Sequence, residues 1–160
     1  TRTIGKSAII LDLRYNNGGN VHNEVLEFLA QKRHFNWAYR DFPSNSHPNV
    51  TPGDMPIIAL VNERSLSDAE VTSNGIQTLG LATIVGTETY RWIIFTSGTT
   101  LLDGSYLRLP AWGCYSLDGK DLESTGVKPD IYIKNTFEDR LKGRDPQLER
   151  AIEEALKQLN

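Results

Sequence analysis

Three short runs of apolar residues, separated by helical patterns, constrain the fold of this chain more than any other feature. They cover residues 8–13, 57–61 and 82–86. Continuous apolar runs of this kind are typical of strands that are buried on both faces of a parallel sheet. The segments 21–33 and 68–79 between them have helical patterns, and parallel strands need such crossovers. The sequence therefore predicts a parallel or mixed α/β sheet.

The segment between the first two apolar runs predicts one helix, one edge strand and a long loop. Asn20 directly precedes the helical pattern and has the side chain of a helix N-cap, so we expect it to start the first helix. Residues 34–40 predict an edge strand. Residues 42–56 are rich in proline and polar residues, which predicts a loop.

The second half of the chain is predicted to be rich in hairpins and to end in a helix. Asp103-Gly104 and Asp118-Gly119 are hairpin signals, and residues 131–133 predict a last short strand. Pro146 stands at the favoured first position of the final helix. An apolar stripe should pack this helix against the domain. The stripe consists of Leu148, Ala151, Ile152, Ala155, Leu156 and Leu159.

Size and charge narrow the class of protein. A chain of 160 residues suits one domain, and 39% hydrophobic with 23% charged residues excludes a disordered chain. The net charge of −3 argues against nucleic-acid or anionic-membrane partners, since both attract a basic excess. No apolar run approaches the ~18–20 residues of a membrane span.

Cysteine and histidine usage argues against a metal site. Cys114 is the single cysteine, so no internal disulfide can form. His22, His34 and His47 lie far apart in the sequence and have no cysteine companions. A zinc site is therefore not expected. Since nucleotide-binding glycine motifs are also missing, we expect neither a metal nor another cofactor.

The most informative segment runs from Val61 to Glu70, where a buried strand ends and a helix begins at Ser67. Helix N-termini present free N–H groups and partial positive charge, which stabilise an oxyanion beside a nucleophilic serine. However, the spacing of Ser67 and Glu70 also fits a capping box, and most such serines only cap helices. This segment alone leaves both interpretations open.

Five segments in the same order give the chain a resemblance to a known family. They are residues 10–19, Asn62-Glu63-Arg64 with Ser67-Asp68, residues 79–86, Asp103-Gly104-Ser105 and residues 126–131. Together they resemble the tail-specific, or C-terminal processing, serine peptidases of family S41 and their tricorn-like relatives. The resemblance covers most of the chain and implies the ClpP–crotonase fold, a twisted α/β sheet with flanking helices in a single domain.

The resemblance also implies the roles of residues around the nucleophile. Ser67 would attack the peptide carbonyl of a substrate and form an acyl-enzyme. The backbone N–H of Asp68 would be one oxyanion donor, and that of Gly18 or Gly19 would be the other. Glycine suits this place because a Cβ would block the close approach of the backbone to a substrate carbonyl.

Two catalytic plans occur among the relatives, and they differ in the general base. The processing peptidases use a lysine, but Trp92 occupies that position here, so this plan fails. The tricorn-like plan uses histidine, a supporting serine and a glutamate, which is Glu123 here. Its histidine precedes an inserted PDZ domain, so the resemblance implies a base upstream of Thr1 and a C-terminal catalytic core at residues 1–160. His22 follows the glycine turn but matches no catalytic position.

Residues 90–95, Tyr-Arg-Trp-Ile-Ile-Phe, depart from the pattern of many tricorn-like relatives, which have a glycine-rich stretch at this point. Bulky side chains there would either narrow the substrate groove or pack in the sheet. Of these two interpretations we favour packing in the sheet.

Other functions remain open at this level. A non-catalytic binding or scaffolding domain would keep the fold, and a crotonase-type acyl-CoA enzyme would share it without needing Ser67. For the peptidase, the expected partners are a peptide or protein substrate and upstream domains of the same chain, with homo-oligomers as an open alternative. Bacterial relatives are often exported, so we expect a periplasmic or extracellular location, with a cytoplasmic one as the alternative.

Overall fold

A computed structural model describes residues 5–48 and 50–160 of the chain. The strands are β1 (Ile9–Asp12), β2 (Phe35–Trp37), β3 (Asn45–His47), β4 (Ile57–Val61), β5 (Thr83–Gly86), β6 (Phe95–Thr100), β7 (Tyr106–Trp112) and β8 (Ile131–Tyr132). The helices are α1 (His22–Leu29), α2 (Asp68–Leu79), α3 (Phe137–Leu141) and α4 (Pro146–Leu159), with a 3₁₀ turn at Pro52–Asp54. None of the described helices is long and apolar enough to cross a membrane.

The three apolar runs form the centre of a parallel sheet with the strand order β1-β4-β5-β8. Every residue of β4 is buried, so both faces of the sheet are covered. On one face, Ala59 and Val61 pack with residues of α1 and α2. On the other face, Ile58 and Leu60 pack against α4. The predicted α/β sheet is therefore confirmed. It lies between two layers of helices, and the carboxyl ends of its parallel strands share one edge.

The start of α1 differs from the prediction. The helix begins at His22 with Val21 at the N-cap position, and no side chain caps it locally. Asn20 is therefore not the N-cap. The physical reason is a partner from another helix, because the Val21 N–H donates to the carboxylate of Asp68 at 2.9 Å. The helix also ends at Leu29, four residues earlier than residues 21–33 would give.

The connection from α1 to β4 contains more structure than predicted. The expected edge strand at 34–40 is confirmed over Phe35–Trp37, but it lies outside the central sheet. Its antiparallel partner is β3, which falls inside the predicted loop at 42–56. The sequence of β3, Asn-Ser-His, has no apolar alternation, so nothing local indicated a strand.

The final helix packs on the sheet through only half of its predicted stripe. Ala151 and Ala155 are buried against β4 and its neighbours, whereas Ile152 and Leu156 are 44% and 56% exposed. Ile152 and Leu156 each follow one of these alanines, and one residue turns an α-helix by about 100°. Their side chains therefore point away from the face that packs on the sheet. The stripe prediction is therefore wrong for Ile152, Leu156 and Leu159, all of which are exposed.

The two predicted hairpin turns are both present. Gly104 lies at φ +84° in the turn between β6 and β7, and Gly119 lies at φ +85° where Tyr115 pairs with Asp121. Left-handed backbone of this kind favours glycine. The β6–β7 hairpin forms its own two-stranded sheet beside the central one.

Candidate active site

The nucleophile turn follows the carboxyl end of β4, beside the end of β1. Several hydrogen bonds join the two strand ends, two of which involve polar side chains of the turn. The Ser65 hydroxyl donates to the carbonyl of Leu13 at 2.8 Å, and the Tyr15 N–H donates to Oδ1 of Asn62 at 3.2 Å. These contacts fix the polar turn and deliver Ser67 to the N-cap position of α2, as predicted.

The backbone of Ser67 is unusual for a residue with a side chain. Its φ of 55° and ψ of −117° lie in a region that non-glycine residues rarely adopt. Glu70 holds this conformation, because the Ser67 N–H donates to Oε2 of Glu70 at 3.0 Å and the Glu70 N–H donates to the Ser67 carbonyl at 2.8 Å. The Ser67 hydroxyl makes no cap hydrogen bond to the helix. The capping box of Ser67 and Glu70 is nevertheless in place, with the Ser67 hydroxyl near the Glu70 N–H but outside hydrogen-bond geometry.

Glu70 is a fully buried carboxylate that accepts four hydrogen bonds. The N–H groups of Ser67 and Trp92 donate to Oε2, while the Thr89 hydroxyl and the Arg91 N–H donate to Oε1. A buried charge is tolerated only when it is hydrogen-bonded in this way. Glu70 therefore ties the nucleophile turn to residues 89–92. Sequence reasoning saw it only as a capping residue, and nothing in the spacing revealed the other donors.

The same network reaches residues 126–131, the last of the five segments that resemble the family. The Val127 N–H donates to the Thr89 hydroxyl oxygen at 2.8 Å, and that hydroxyl donates to Glu70 at 2.7 Å. Gly126 packs closely here, because an added Cβ would lie 3.0 Å from the Thr89 carbonyl oxygen. A continuous chain of hydrogen bonds thus joins Val127 to Ser67.

The turn that contains Gly18 lies directly against Ser67. A Cβ added to Gly18 would lie 2.7 Å from the Ser67 Cβ and 3.0 Å from its hydroxyl oxygen. The Gly18 N–H is already bound, since it donates to Oδ1 of Asn16 at 2.8 Å. Within residues 5–48 and 50–160, neither the Gly19 N–H nor the Asp68 N–H has a hydrogen-bond acceptor. Gly19 and Asp68 line one cavity with Ser67, so these two groups are free donors near its hydroxyl.

Asp68 and His22 form a second polar contact beside the nucleophile. Nδ1 of His22 lies 2.5 Å from Oδ1 of Asp68, and Asp68 is 6% exposed. An ionised carboxylate can only accept hydrogen bonds, so Nδ1 of His22 carries the proton. No hydrogen bond joins His22 to Ser67 among the described residues. The structure thus places His22 near the nucleophile turn, although it matches no catalytic position of the family.

Two cavities open beside Ser67, with volumes of about 440 and 270 Å³. Both are lined by Ser67, Ile94, Thr96 and Arg108, and Trp92 lines the larger one. Trp92 is 49% exposed and stacks on Tyr90 with ring centroids 5.8 Å apart. The favoured interpretation of residues 90–95 is therefore wrong for these aromatic rings. The rings of Tyr90 and Trp92 lie at the surface rather than in the sheet, and Trp92 forms part of the wall of the cavity beside Ser67.

Glu123 lies in the loop that leads to Gly126 and is exposed. Its N–H donates to Oδ1 of Asp121, and its side chain lines neither cavity beside Ser67. The neighbouring Leu122 and Ser124 line a cavity of about 550 Å³ that shares no residue with those two. The role of Glu123 beside the nucleophile stays a prediction.

The architecture defines a class of protein. A parallel α/β sheet, a serine at positive φ between a strand and a helix, and a glycine turn packed on that serine are the features of a serine hydrolase core. The sequence profile of peptidase family S41 matches residues 2–133. The chain belongs to this family of serine peptidases, as its sequence motifs indicated.

Individual relatives place the chain in the tricorn-like branch. Tricorn protease homolog 1 from Streptomyces coelicolor is 33% identical over 159 residues, which cover 96% of this chain and 14% of the relative. Tricorn protease from Thermoplasma acidophilum is 34% identical over 154 residues, covering 94% of this chain and 14% of that protein. The chain therefore spans 14% of the length of these two curated relatives.

The fold comparison agrees with the sequence comparison. The crystal structure of the tricorn protease superposes with a TM-score of 0.85 at 32% identity, over 98% of this chain and 16% of that chain. The predicted ClpP–crotonase-like fold, a mixed α/β domain with flanking helices, is confirmed.

Proposed function

We propose that this chain is the catalytic core of a tricorn-like serine endopeptidase that hydrolyses peptide bonds through an acyl-enzyme on Ser67. The observation that carries the proposal is the environment of the Ser67 hydroxyl. Among the described residues it accepts no helix N–H with hydrogen-bond geometry, and it lies against Gly18. Asp68 and Gly19, whose N–H groups have no acceptor there, line the same cavity as Ser67. A serine that only capped the helix would have its oxygen bonded to the first-turn N–H groups.

The chemistry follows from this arrangement. The Ser67 oxygen attacks the carbonyl carbon of the scissile peptide while a general base takes the hydroxyl proton. The carbonyl oxygen becomes negative and accepts hydrogen bonds from the N–H groups of Asp68 and Gly19. Gly19 is the better second donor because the Gly18 N–H is held by Asn16. The amine leaves with the proton, and water then hydrolyses the ester on Ser67.

The general base is proposed to be a histidine from a segment outside these 160 residues, oriented by Glu123. The residues that line the two cavities beside Ser67 include neither a histidine nor a lysine. A serine hydroxyl is a weak nucleophile without a base, so the chain alone should react slowly. In this proposal, the complete enzyme also contains upstream domains of a longer chain, among them a PDZ domain. It acts on peptides in the periplasm or outside the cell.

A fluorophosphonate probe tests the proposal, because it labels only an activated serine. We expect slow labelling of the 160-residue chain, fast labelling of the longer protein that carries it, and none in either after Ser67→Ala. Ser105→Ala, on an exposed turn, is the matched control and should keep the wild-type rate.

Two results would contradict parts of the proposal. Fast labelling of the chain alone would mean that the base lies within its residues. Failure of labelling in both proteins would favour the alternative function, a binding or scaffolding domain that retains the peptidase fold.

A further inference from the structure

Asp68 contributes to the candidate site in two ways, through its backbone and through its side chain. Its backbone N–H is one of the two free donors beside Ser67, while its carboxylate turns toward the start of α1. There, Oδ2 accepts the Val21 N–H at 2.9 Å and Oδ1 faces Nδ1 of His22 at 2.5 Å. The buried side chain of Asp68 thus connects the start of α2 to the start of α1.

This connection bears on the second donor. Gly19 lies two residues before Val21, and a Cβ added to it would lie 3.7 Å from Oδ2 of Asp68. The carboxylate of Asp68 therefore lies beside Gly19 while it holds the N–H of Val21, so it bridges the two backbone segments that carry the donors. Because an oxyanion site works only when its donors are held at fixed positions before reaction, the separation of these two segments matters for the rate.

We propose that His22 is a positioning residue that, through Asp68, holds the N–H groups of Gly19 and Asp68 at the spacing that binds an anionic oxygen. The inference rests on the proposed peptidase function. Its physical basis is the His22 hydrogen bond to Oδ1, which stops the Asp68 carboxylate from rotating away from the Val21 N–H. The side chain of His22 is 18% exposed, so its replacement need not open the core.

Three variants separate positioning from other roles. His22→Ala removes the hydrogen bond to Asp68, whereas His22→Asn keeps a short N–H donor at nearly the same place but cannot act as a base. His34→Ala removes an exposed imidazole elsewhere and is the matched control. Two measurements are made on each variant. They are the amide NMR resonances of Gly19 and Asp68 in the 160-residue chain, and the rate of fluorophosphonate labelling in the longer protein.

We expect His22→Ala to shift both amide resonances and to slow labelling by ~10–100-fold, less than the loss of a whole oxyanion donor. His22→Asn should restore the resonances and most of the rate, and His34→Ala should change neither. Unchanged resonances in His22→Ala would overturn the proposal. An Asn variant with wild-type resonances and the slow rate of the Ala variant would also overturn it, because His22 would then act as a base.

The two proposals can fail separately. If the wild-type protein is never labelled, the peptidase function fails, and the amide resonances alone decide whether His22 positions Gly19 and Asp68. If the wild type is labelled and His22→Ala is labelled equally fast, the function stands and the positioning role is wrong.

Discussion

The carboxylate of Glu70 accepts the N–H of Ser67 at 3.0 Å while it is itself completely buried. This contact connects Ser67 to a larger network, because the same carboxylate also accepts hydrogen bonds from residues 89–92. The buried carboxylate of Glu70 thus holds the unusual backbone conformation of Ser67. The capping-box spacing of Ser67 and Glu70 predicts only the contact between these two residues. Glu70 also binds residues 89–92, so it does more than start a helix.

Replacing Glu70 by glutamine should destabilise the fold. Four donors face the carboxylate, and a glutamine side chain would turn its own NH₂ group toward two of them. Each buried donor left unsatisfied costs ~1–3 kcal/mol, so we expect Glu70→Gln to lower the free energy of unfolding by at least that amount. Denaturant unfolding measures it. Glu27→Gln, on the exposed side of α1, should change stability by less than ~0.5 kcal/mol, and equal stability of both variants would contradict the prediction.

Alanine at Gly18 should abolish the reactivity of Ser67. The new Cβ would lie 2.7 Å from the Ser67 Cβ, so the nucleophile or the turn must move. We expect labelling by a fluorophosphonate to slow by at least ~100-fold, as for loss of an oxyanion donor.

Gly104→Ala separates this clash from backbone strain. Gly104 has a similar positive φ of +84°, but its added Cβ meets no atom within 4 Å. It should lose only ~1 kcal/mol of stability and keep the labelling rate. Similar labelling of the Gly18 and Gly104 variants would show that the contact with Ser67 is unimportant.

The ion pair between Arg14 and Asp145 should make stability depend on pH. Burial alone would raise the pKa of Asp145, but hydrogen bonds from Arg14, Asn135 and the Leu148 N–H lower it to about 2. Since the pKa is lower in the folded state, this stabilisation is present above pH ~4 and is lost as the pH falls toward 2. The side chain is 35% exposed, so after allowance for solvent screening the contribution is ~1 kcal/mol.

Asp145→Asn tests this dependence and keeps a good helix N-cap. The variant should be less stable than the wild type at pH 7, and the difference should shrink as the pH falls from 4 to 2. Urea unfolding at several pH values measures the difference. A difference that stays constant over this range would mean that the charge of Asp145 does not contribute.

Arg108 should favour acidic groups in a bound peptide. Its side chain lines both cavities beside Ser67, and its Nε donates to the Thr96 hydroxyl oxygen at 2.8 Å, which orients the guanidinium. A partly exposed charge pair contributes ~0.5–1 kcal/mol, so a Glu-containing peptide should compete with probe labelling a few-fold better than its Gln counterpart.

Arg108→Gln should remove that preference. Arg64→Gln, an exposed arginine that lines neither cavity, has the same effect on net charge and should retain it. Loss of the preference in both variants would indicate a long-range effect of charge rather than a contact with Arg108.

The sequence by itself determined the central sheet and the place of Ser67 at the start of α2. Continuous apolar runs identify doubly buried strands because only such strands lack a polar face, and β1, β4 and β5 follow them closely. The position of Ser67 at the start of α2 was likewise predictable, since strand, polar turn and helix follow one another within a few residues. These are local signals, in which the cause and its effect lie close together along the chain.

The tertiary structure alone decided which groups around Ser67 are free and which are occupied. The carboxylate of Asp68 accepts the N–H of Val21, which lies 47 positions earlier in the chain, so Asn20 does not cap α1. The carboxylate of Glu70 accepts the N–H of Trp92, which lies 22 positions later in the chain. Such pairs depend on how the helices and loops meet at the edge of the sheet. A buried polar group forms hydrogen bonds with whichever partner the tertiary packing brings close to it. Because that partner is distant in the sequence, no local sequence pattern predicts it.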